Sequence, residues 1–162
     1  MLIAVLLTIL FTVAPGRASD SVGHLDLAAL GFAPVAAPAI DVQIGAAEFD
    51  LAALAAQATD PDLAAVLANV DAFYLQQFAA PDAATVLAAG NLATALIAAG
   101  WLPAQTEFQG TRQVVVYVRA VGPIVAGLAV VAVDAGREVS IANVVGNILP
   151  QQLATLGLPL PN

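Results

Sequence analysis

The sequence contains no cysteine and no lysine, and it has one histidine and one tryptophan among 162 residues. Without cysteine, the residues present offer no disulfide, no thiol nucleophile, no thiolate metal ligand and no lipobox for lipid attachment. One histidine and scattered carboxylates make a poor transition-metal site. The sequence therefore predicts no metal and no other cofactor.

Charge is scarce, and nearly all of it is negative. Twelve acidic residues face four arginines, which gives a formal net charge of −8 at pH 7. A surface of this sign repels a phosphate backbone, so we predict no nucleic-acid binding. Hydrophobic residues, many of them alanine, make up 60% of the chain and indicate a folded domain rather than a disordered one.

No catalytic constellation is legible in the sequence. His24 is the one histidine, and it lies in a segment with no regular pattern. Asp60 and Asp62 are two residues apart, so they do not face each other on a helix, and they are typical of a helix start instead. No glycine-rich phosphate loop and no nucleophile elbow are present. The chain is predicted not to be an enzyme.

The N-terminus has the features of a cleavable signal peptide. Leu2 to Val13 is an apolar run of twelve residues, and Pro15-Gly16 ends it. Gly16-Arg17-Ala18 is a small-x-small triplet, which predicts a signal peptide at 1–18 that is cut after Ala18. Export to the periplasm or the exterior follows. The alternatives are an uncleaved segment held in the inner membrane and a buried first helix.

A second apolar stretch, Val114 to Val133, is about as long as a membrane span. It contains Arg119, and Gly122-Pro123 divides it into two valine-rich halves. Valine favours strands, so this stretch predicts a hairpin and no stable membrane span.

Alternation, helix caps and turn residues predict one α+β domain at 39–157. A linker or N-terminal arm at 19–38 precedes it, and a tail at 158–162 follows. The predicted order is β-α-α-β-α-β-β-β-α, an antiparallel sheet of about four to five strands with helices packed on one face. Strands are predicted at about 40–44, 70–78, 113–119, 124–133 and 139–145, with a weaker candidate at 101–108; helices are predicted at about 46–58, 61–68, 81–99 and 150–156.

Two groups of side chains stand out in this scheme. Gln113, Tyr117 and Arg119 share one side of a strand, so helices on the opposite side would leave them as an open binding face. An ordinary solvated strand face is the alternative. Trp101 follows the presumed helix end at Gly100, and we predict that its ring packs into the core at that corner.

Several short segments from Ile40 onward carry a family resemblance. They are Asp41-Val42-Gln43-Ile44, Gly100-Trp101, the hairpin around Val130–Asp134, and Ile141–Ile148 followed by Pro150-Gln151-Gln152-Leu153. Together they resemble the domain-of-unknown-function family DUF4252, with its late strand, its Asn-x-x-Gly turn (Asn143 to Gly146 here) and its closing helix. The resemblance implies a small exported bacterial domain and supplies no catalytic residues. The chain departs from it in lacking the lipobox cysteine of many members.

Two classes of function remain open at this point. The first is a non-enzymatic envelope protein that binds another envelope protein through an open sheet face or a strand edge. The second is a carrier of a small apolar ligand held between sheet and helices.

Overall fold

A computed structural model describes residues 21–155 as one six-stranded sheet with four helices. The predicted signal peptide at 1–18 and the tail at 158–162 lie outside the described residues. The strands are β1 (Ile40–Gly45), β2 (Val70–Ala79), β3 (Leu102–Gln109), β4 (Arg112–Val121), β5 (Ile124–Asp134) and β6 (Glu138–Ile148). The helices are α1 (Ala46–Ala56), α2 (Pro61–Leu67), α3 (Ala83–Ala98) and α4 (Pro150–Thr155).

The strand order across the sheet is β1-β2-β6-β5-β4-β3, and every neighbouring pair is antiparallel. The predicted α+β class with an antiparallel sheet is confirmed. The predicted count of four to five strands is wrong, because the weak candidate at 101–108 is a full strand, β3. That strand is an edge strand with mostly exposed side chains, so nothing forces an alternating apolar pattern on it.

Helices cover both faces of the sheet, not one as predicted. We call the face under α3 the front face and the other the back face. Side chains of α3 share a buried cluster with Tyr117 and Ala129, whereas side chains of α1, α2 and α4 share a second cluster with Val118 and Leu128. Successive strand residues point to opposite faces, so the two clusters lie on opposite sides. β4 and β5 are apolar on both faces, so the sequence pattern alone did not show that both are covered.

Both ends of α3 are fixed by local hydrogen bonds. The Asp82 carboxylate accepts from the Thr85 backbone N–H at 2.7 Å, as an N-cap does. At the other end Gly100 has φ +84°, and the Trp101 N–H donates to the Leu96 carbonyl at 3.0 Å. This is the Schellman ending that places glycine after the last helical turn. The chain then turns sharply, and the Trp101 side chain enters the front core with 3% exposure, which confirms its predicted burial.

The described part of the N-terminal segment is docked on the front face. We call residues 21–39 the arm. Leu25 and Phe32 belong to the front core, and the Phe32 ring meets Phe78 of β2 edge-on, with ring centroids 5.6 Å apart. The arm therefore adds apolar cover to the part of the sheet beside α3.

The hairpin predicted at Val114–Val133 is confirmed. β4 pairs with β5 in a register that sets Val116 opposite Val130, and Gly122 occupies the turn with φ +59°. Within residues 21–155, no helix is long and apolar enough to cross a membrane.

The Asn-x-x-Gly segment is not a turn, contrary to the expectation from the family resemblance. Asn143 and Gly146 both lie within β6. Gly146 is required there by close backbone approach, since a Cβ on it would lie 2.1 Å from the Asn69 carbonyl oxygen. Asn143 has a different role, described below.

Candidate functional site

The three side chains predicted to form an open face do not form one. Gln113 is exposed, but Tyr117 is 3% exposed and packs in the front core with α3. Burial raises the pKa of the Tyr117 hydroxyl. The guanidinium of Arg119 donates to the Ala99 carbonyl at the end of α3, where a positive charge meets the negative end of the helix dipole. Because α3 covers this face, Tyr117 is a core residue and Arg119 a helix cap.

An uncovered apolar surface lies instead on the back face. Leu75, Ala142, Val130 and Val116 stand in one row across four neighbouring strands, and Val114 lies beside Val116 in the next row. All five are only partly buried, and none belongs to either buried cluster. We call these five residues the valine strip. α1, α2 and α4 cover the back face at Val118 and Leu128, so the strip begins where their cover ends.

A network of polar side chains borders the valine strip at the end away from these helices. The Glu138 carboxylate accepts hydrogen bonds from Gln77 Nε2 and Ser140 Oγ, both at 2.6 Å. It also forms an ion pair with Arg112 at 3.0 Å. Glu107 of the edge strand lies across from Val114. The strip is therefore an apolar patch with a polar border.

A second feature is a cleft between the arm and the front face, with a volume of about 210 Å³. We call it the arm cleft. The His24 ring meets the Tyr74 ring edge-on at 4.8 Å. Burial lowers the pKa of His24, and the Asp26 carboxylate partly offsets this effect. The polar side chains that line the cleft are His24, Asp26, Asp41, Tyr74, Gln76 and Asn143.

Asn143 holds the arm in place from the middle of β6. Its side chain is 3% exposed, and its Oδ1 accepts from the Leu25 N–H at 2.9 Å. Its Nδ2 donates to the carbonyls of Gly23 at 3.0 Å and Leu128 at 3.1 Å. A buried amide that satisfies backbone groups of two segments fixes their relative position. The arm wall of the cleft is therefore anchored to the sheet.

Among residues 21–155, no group of three or more His, Cys, Asp or Glu side chains is placed to hold a metal ion. The sequence predicted a solvated His24 and did not indicate its contact with Tyr74. The signal available was Asn143, an amide flanked by apolar residues within a strand.

Comparison with known proteins gave no match to a family model, to a curated protein or to a solved structure. The resemblance to DUF4252 thus stays a prediction from the sequence.

Proposed function

We propose that the chain is an exported, non-enzymatic protein-interaction module that binds a partner protein through the valine strip. The observation that carries the proposal is the row of Leu75, Ala142, Val130 and Val116, which are only partly buried and lie beyond the cover of α1, α2 and α4 on the back face. Export rests on the N-terminal sequence alone.

The strip has the properties of a docking surface. An apolar sheet face is normally buried against another layer, and the matching positions on the front face are covered by α3 and the arm. The row spans three strand spacings of ~4.8 Å, about 14 Å. Contiguous apolar surface with a polar border is typical of interaction sites, whereas scattered apolar side chains are not.

The charge of the chain indicates the chemistry of the partner. Glu107 and the Glu138–Arg112 ion pair flank the strip, and the chain as a whole carries a net charge of −8. Two copies of this chain repel each other over long range, whereas a partner with basic residues beside an apolar face is attracted. We therefore assign the strip to a different protein, one that presents apolar side chains flanked by lysine or arginine.

The first prediction is that Val116→Glu abolishes partner binding and lowers the free energy of unfolding by about 1 kcal/mol, the typical cost of a point substitution, because the side chain is partly buried. A photo-crosslinking residue at position 114 is expected to capture one discrete protein in source cells. The Val116→Glu change in the same chain should remove that product. Purified partner should then bind the unmodified chain in a concentration-dependent and salt-sensitive manner.

Leu54→Glu is the matched control, since Leu54 is 69% exposed on α1 and lies outside the strip. This variant should retain the crosslinked product. Equal loss in both variants, or a product that contains two copies of this chain, would contradict the assignment to a separate partner.

Export is tested separately. N-terminal sequencing of chain recovered from the periplasm is expected to begin at Ser19, because the Gly16-Arg17-Ala18 triplet precedes it. An intact Met1 on cytoplasmic chain would show that the segment is not a signal peptide, without affecting the strip.

The carrier of an apolar ligand is the weaker candidate. The arm cleft lies between arm and sheet, has a volume of about 210 Å³ and is lined largely by polar side chains. Typical small-molecule pockets of about 300–1,000 Å³ are larger and mostly apolar.

A further inference from the structure

We infer that the arm is an acid-sensitive strap, whose docked part at residues 21–32 leaves the front face of the sheet when the His24 ring gains a proton. The strap is anchored by Asn143, and its Phe32 ring contacts Phe78 of β2. Release would therefore uncover apolar surface of the front core. This inference concerns the front face and does not depend on the valine strip of the back face.

His24 lies between the two residues that attach the arm to the sheet. The Gly23 carbonyl accepts from Asn143 Nδ2 at 3.0 Å, and the Leu25 N–H donates to Asn143 Oδ1 at 2.9 Å. Gly23 also lies so close to the backbone of β5 that a Cβ on it would clash with the Ala126 carbonyl. Because both neighbours are fixed, the backbone of His24 cannot move away from the sheet without breaking the hydrogen bonds that hold the arm.

The surroundings of the His24 ring suit a neutral imidazole. Its Nδ1 atom is buried and has no hydrogen-bond partner in the structure, and the ring meets the Tyr74 ring edge-on with centroids 4.8 Å apart. In a neutral ring one nitrogen carries no hydrogen, whereas in the protonated ring both nitrogens are donors. Protonation therefore places a buried N–H without an acceptor, together with a positive charge, in the contact between arm and sheet.

The charged and titratable groups that share the arm cleft with His24 come from three elements. They are Asp26 on the arm, Asp41 on β1 and Tyr74 on β2, whereas β6 contributes the neutral Asn143. Burial lowers the pKa of His24, and this effect is larger than the opposing effect of the Asp26 charge. Burial also raises the pKa of the Tyr74 hydroxyl, so Tyr74 stays neutral throughout the acid range.

The sign of the pH dependence follows from this difference. The docked arm holds a His24 ring with a lowered pKa, whereas the ring of the released arm has the ordinary value of about 6.5. The released arm therefore binds more protons, and docking weakens as the pH falls below that value. If the docked ring stayed neutral, the ratio of released to docked arm would rise by about thirtyfold between pH 7.5 and pH 5.0, which is the upper limit.

The segment between the docked part and β1 is suited to act as a hinge. Residues 33–38 contain two prolines, and Val35 among them is 84% exposed. Ala39 is fixed to the sheet beyond this segment, since its N–H donates to the Gln77 carbonyl at 2.7 Å. Residues 21–32 can therefore leave the front face while β1 keeps its pairing with β2.

The test is hydrogen exchange of the full chain at pH 7.5 and pH 5.0, with each rate divided by the intrinsic rate of the same amide at that pH. The Leu25 amide reports release, because it donates to Asn143 Oδ1 in the docked arm. Its protection should fall on acidification by at least about threefold and at most about thirtyfold. The Val131 amide in the buried middle of β5 should keep its protection, since the sheet itself stays closed.

His24→Phe is the matched control, since phenylalanine retains a ring for the contact with Tyr74 and cannot gain a proton. In this variant, and in the polar variant His24→Gln, protection of the Leu25 amide should be the same at both pH values. The His24 ring of the unmodified chain should also titrate at lower pH in the native state than in urea, as measured by NMR.

Unchanged protection of the Leu25 amide at pH 5.0 in the unmodified chain would overturn the inference. An equal loss in His24→Phe would also overturn it, because the effect would then belong to other groups. The same holds for an equal loss at Val131, which would mean that the whole sheet unfolds, and for a His24 titration midpoint that is the same in the native state and in urea.

Discussion

Replacing Trp101 with alanine is expected to lower the free energy of unfolding by about 3–5 kcal/mol, the usual range for a fully buried large aromatic side chain. The ring is 3% exposed in the front core and packs against the backbone of β5, where a Cβ on Gly127 would lie 2.8 Å from its Cη2 atom. Gly127 has no side chain that could fill the space of the lost ring, so Trp101→Ala would leave a cavity in the front core. Urea unfolding followed by circular dichroism measures the loss.

The fluorescence of the unmodified chain gives an independent reading, since Trp101 is the one tryptophan. Its emission should be shifted to shorter wavelength in the native state and should move to that of free tryptophan on unfolding. Phe108→Ala is the matched control, because Phe108 is an aromatic residue with 73% exposure on β3. The control should change stability by no more than about 0.5 kcal/mol. Equal effects of the two substitutions would refute a core role for Trp101.

Replacing Asn143 with alanine is expected to cost about 2–4 kcal/mol and to release the arm. The change leaves the Leu25 N–H and the Gly23 and Leu128 carbonyls without the partner they have in the folded chain. Each buried polar group that loses its partner costs about 1–3 kcal/mol. Water that enters the site and bonds to these groups recovers part of this cost. Hydrogen exchange at the Leu25 amide should accelerate more than exchange at amides in the middle of β5.

Asn91→Ala serves as the control for Asn143, because Asn91 is exposed on α3 and alanine is well tolerated in helices. This variant should be as stable as the unmodified chain or slightly more stable. If Asn143→Ala unfolds at the same urea concentration as the control and the Leu25 amide keeps its protection, the arm is not held by Asn143.

The sequence predicted the ends of helices and the tight turns correctly. Asp60 accepts from the Leu63 N–H at 3.0 Å, as expected of an N-cap residue before proline. Gly122 predicted the turn between β4 and β5, and Gly100 predicted the end of α3. These features depend on a few consecutive residues, so their chemistry is visible without the rest of the fold.

Which face of the sheet stays uncovered depends on segments that are far from β4 in the sequence. β4 carries Val114, Val116 and Val118 on one side and Val115 and Tyr117 on the other, so both sides are apolar and alternation does not say which one is covered. The covering elements, α3 and the arm on one face and the shorter helices on the other, come from other segments. For this reason the prediction that Gln113, Tyr117 and Arg119 form an open face is wrong.

The sequence did not predict the arm cleft, for a related reason. Leu25 and Asn143 are 118 positions apart, and His24 meets Tyr74 across a separation of fifty residues. A lone histidine in an irregular segment suggests a solvated loop when it is considered alone. The contact with Tyr74 forms because the arm docks on the sheet, through the Asn143 amide and the burial of Leu25 and Phe32.

The position of β6 has a consequence for the time order of folding. It is the last strand of the sheet to be synthesised, yet it lies between β2 and β5 and joins the two halves of the sheet. Until it emerges, β1 and β2 have no strand pairing with the β3–β5 meander, and the arm lacks its hydrogen bonds to Asn143. Pairing strands this far apart in sequence carries a loop-closure cost that makes assembly slow. The sheet is thus incomplete until β6 has been synthesised, and a truncation before Glu138 removes the centre of the sheet rather than its edge.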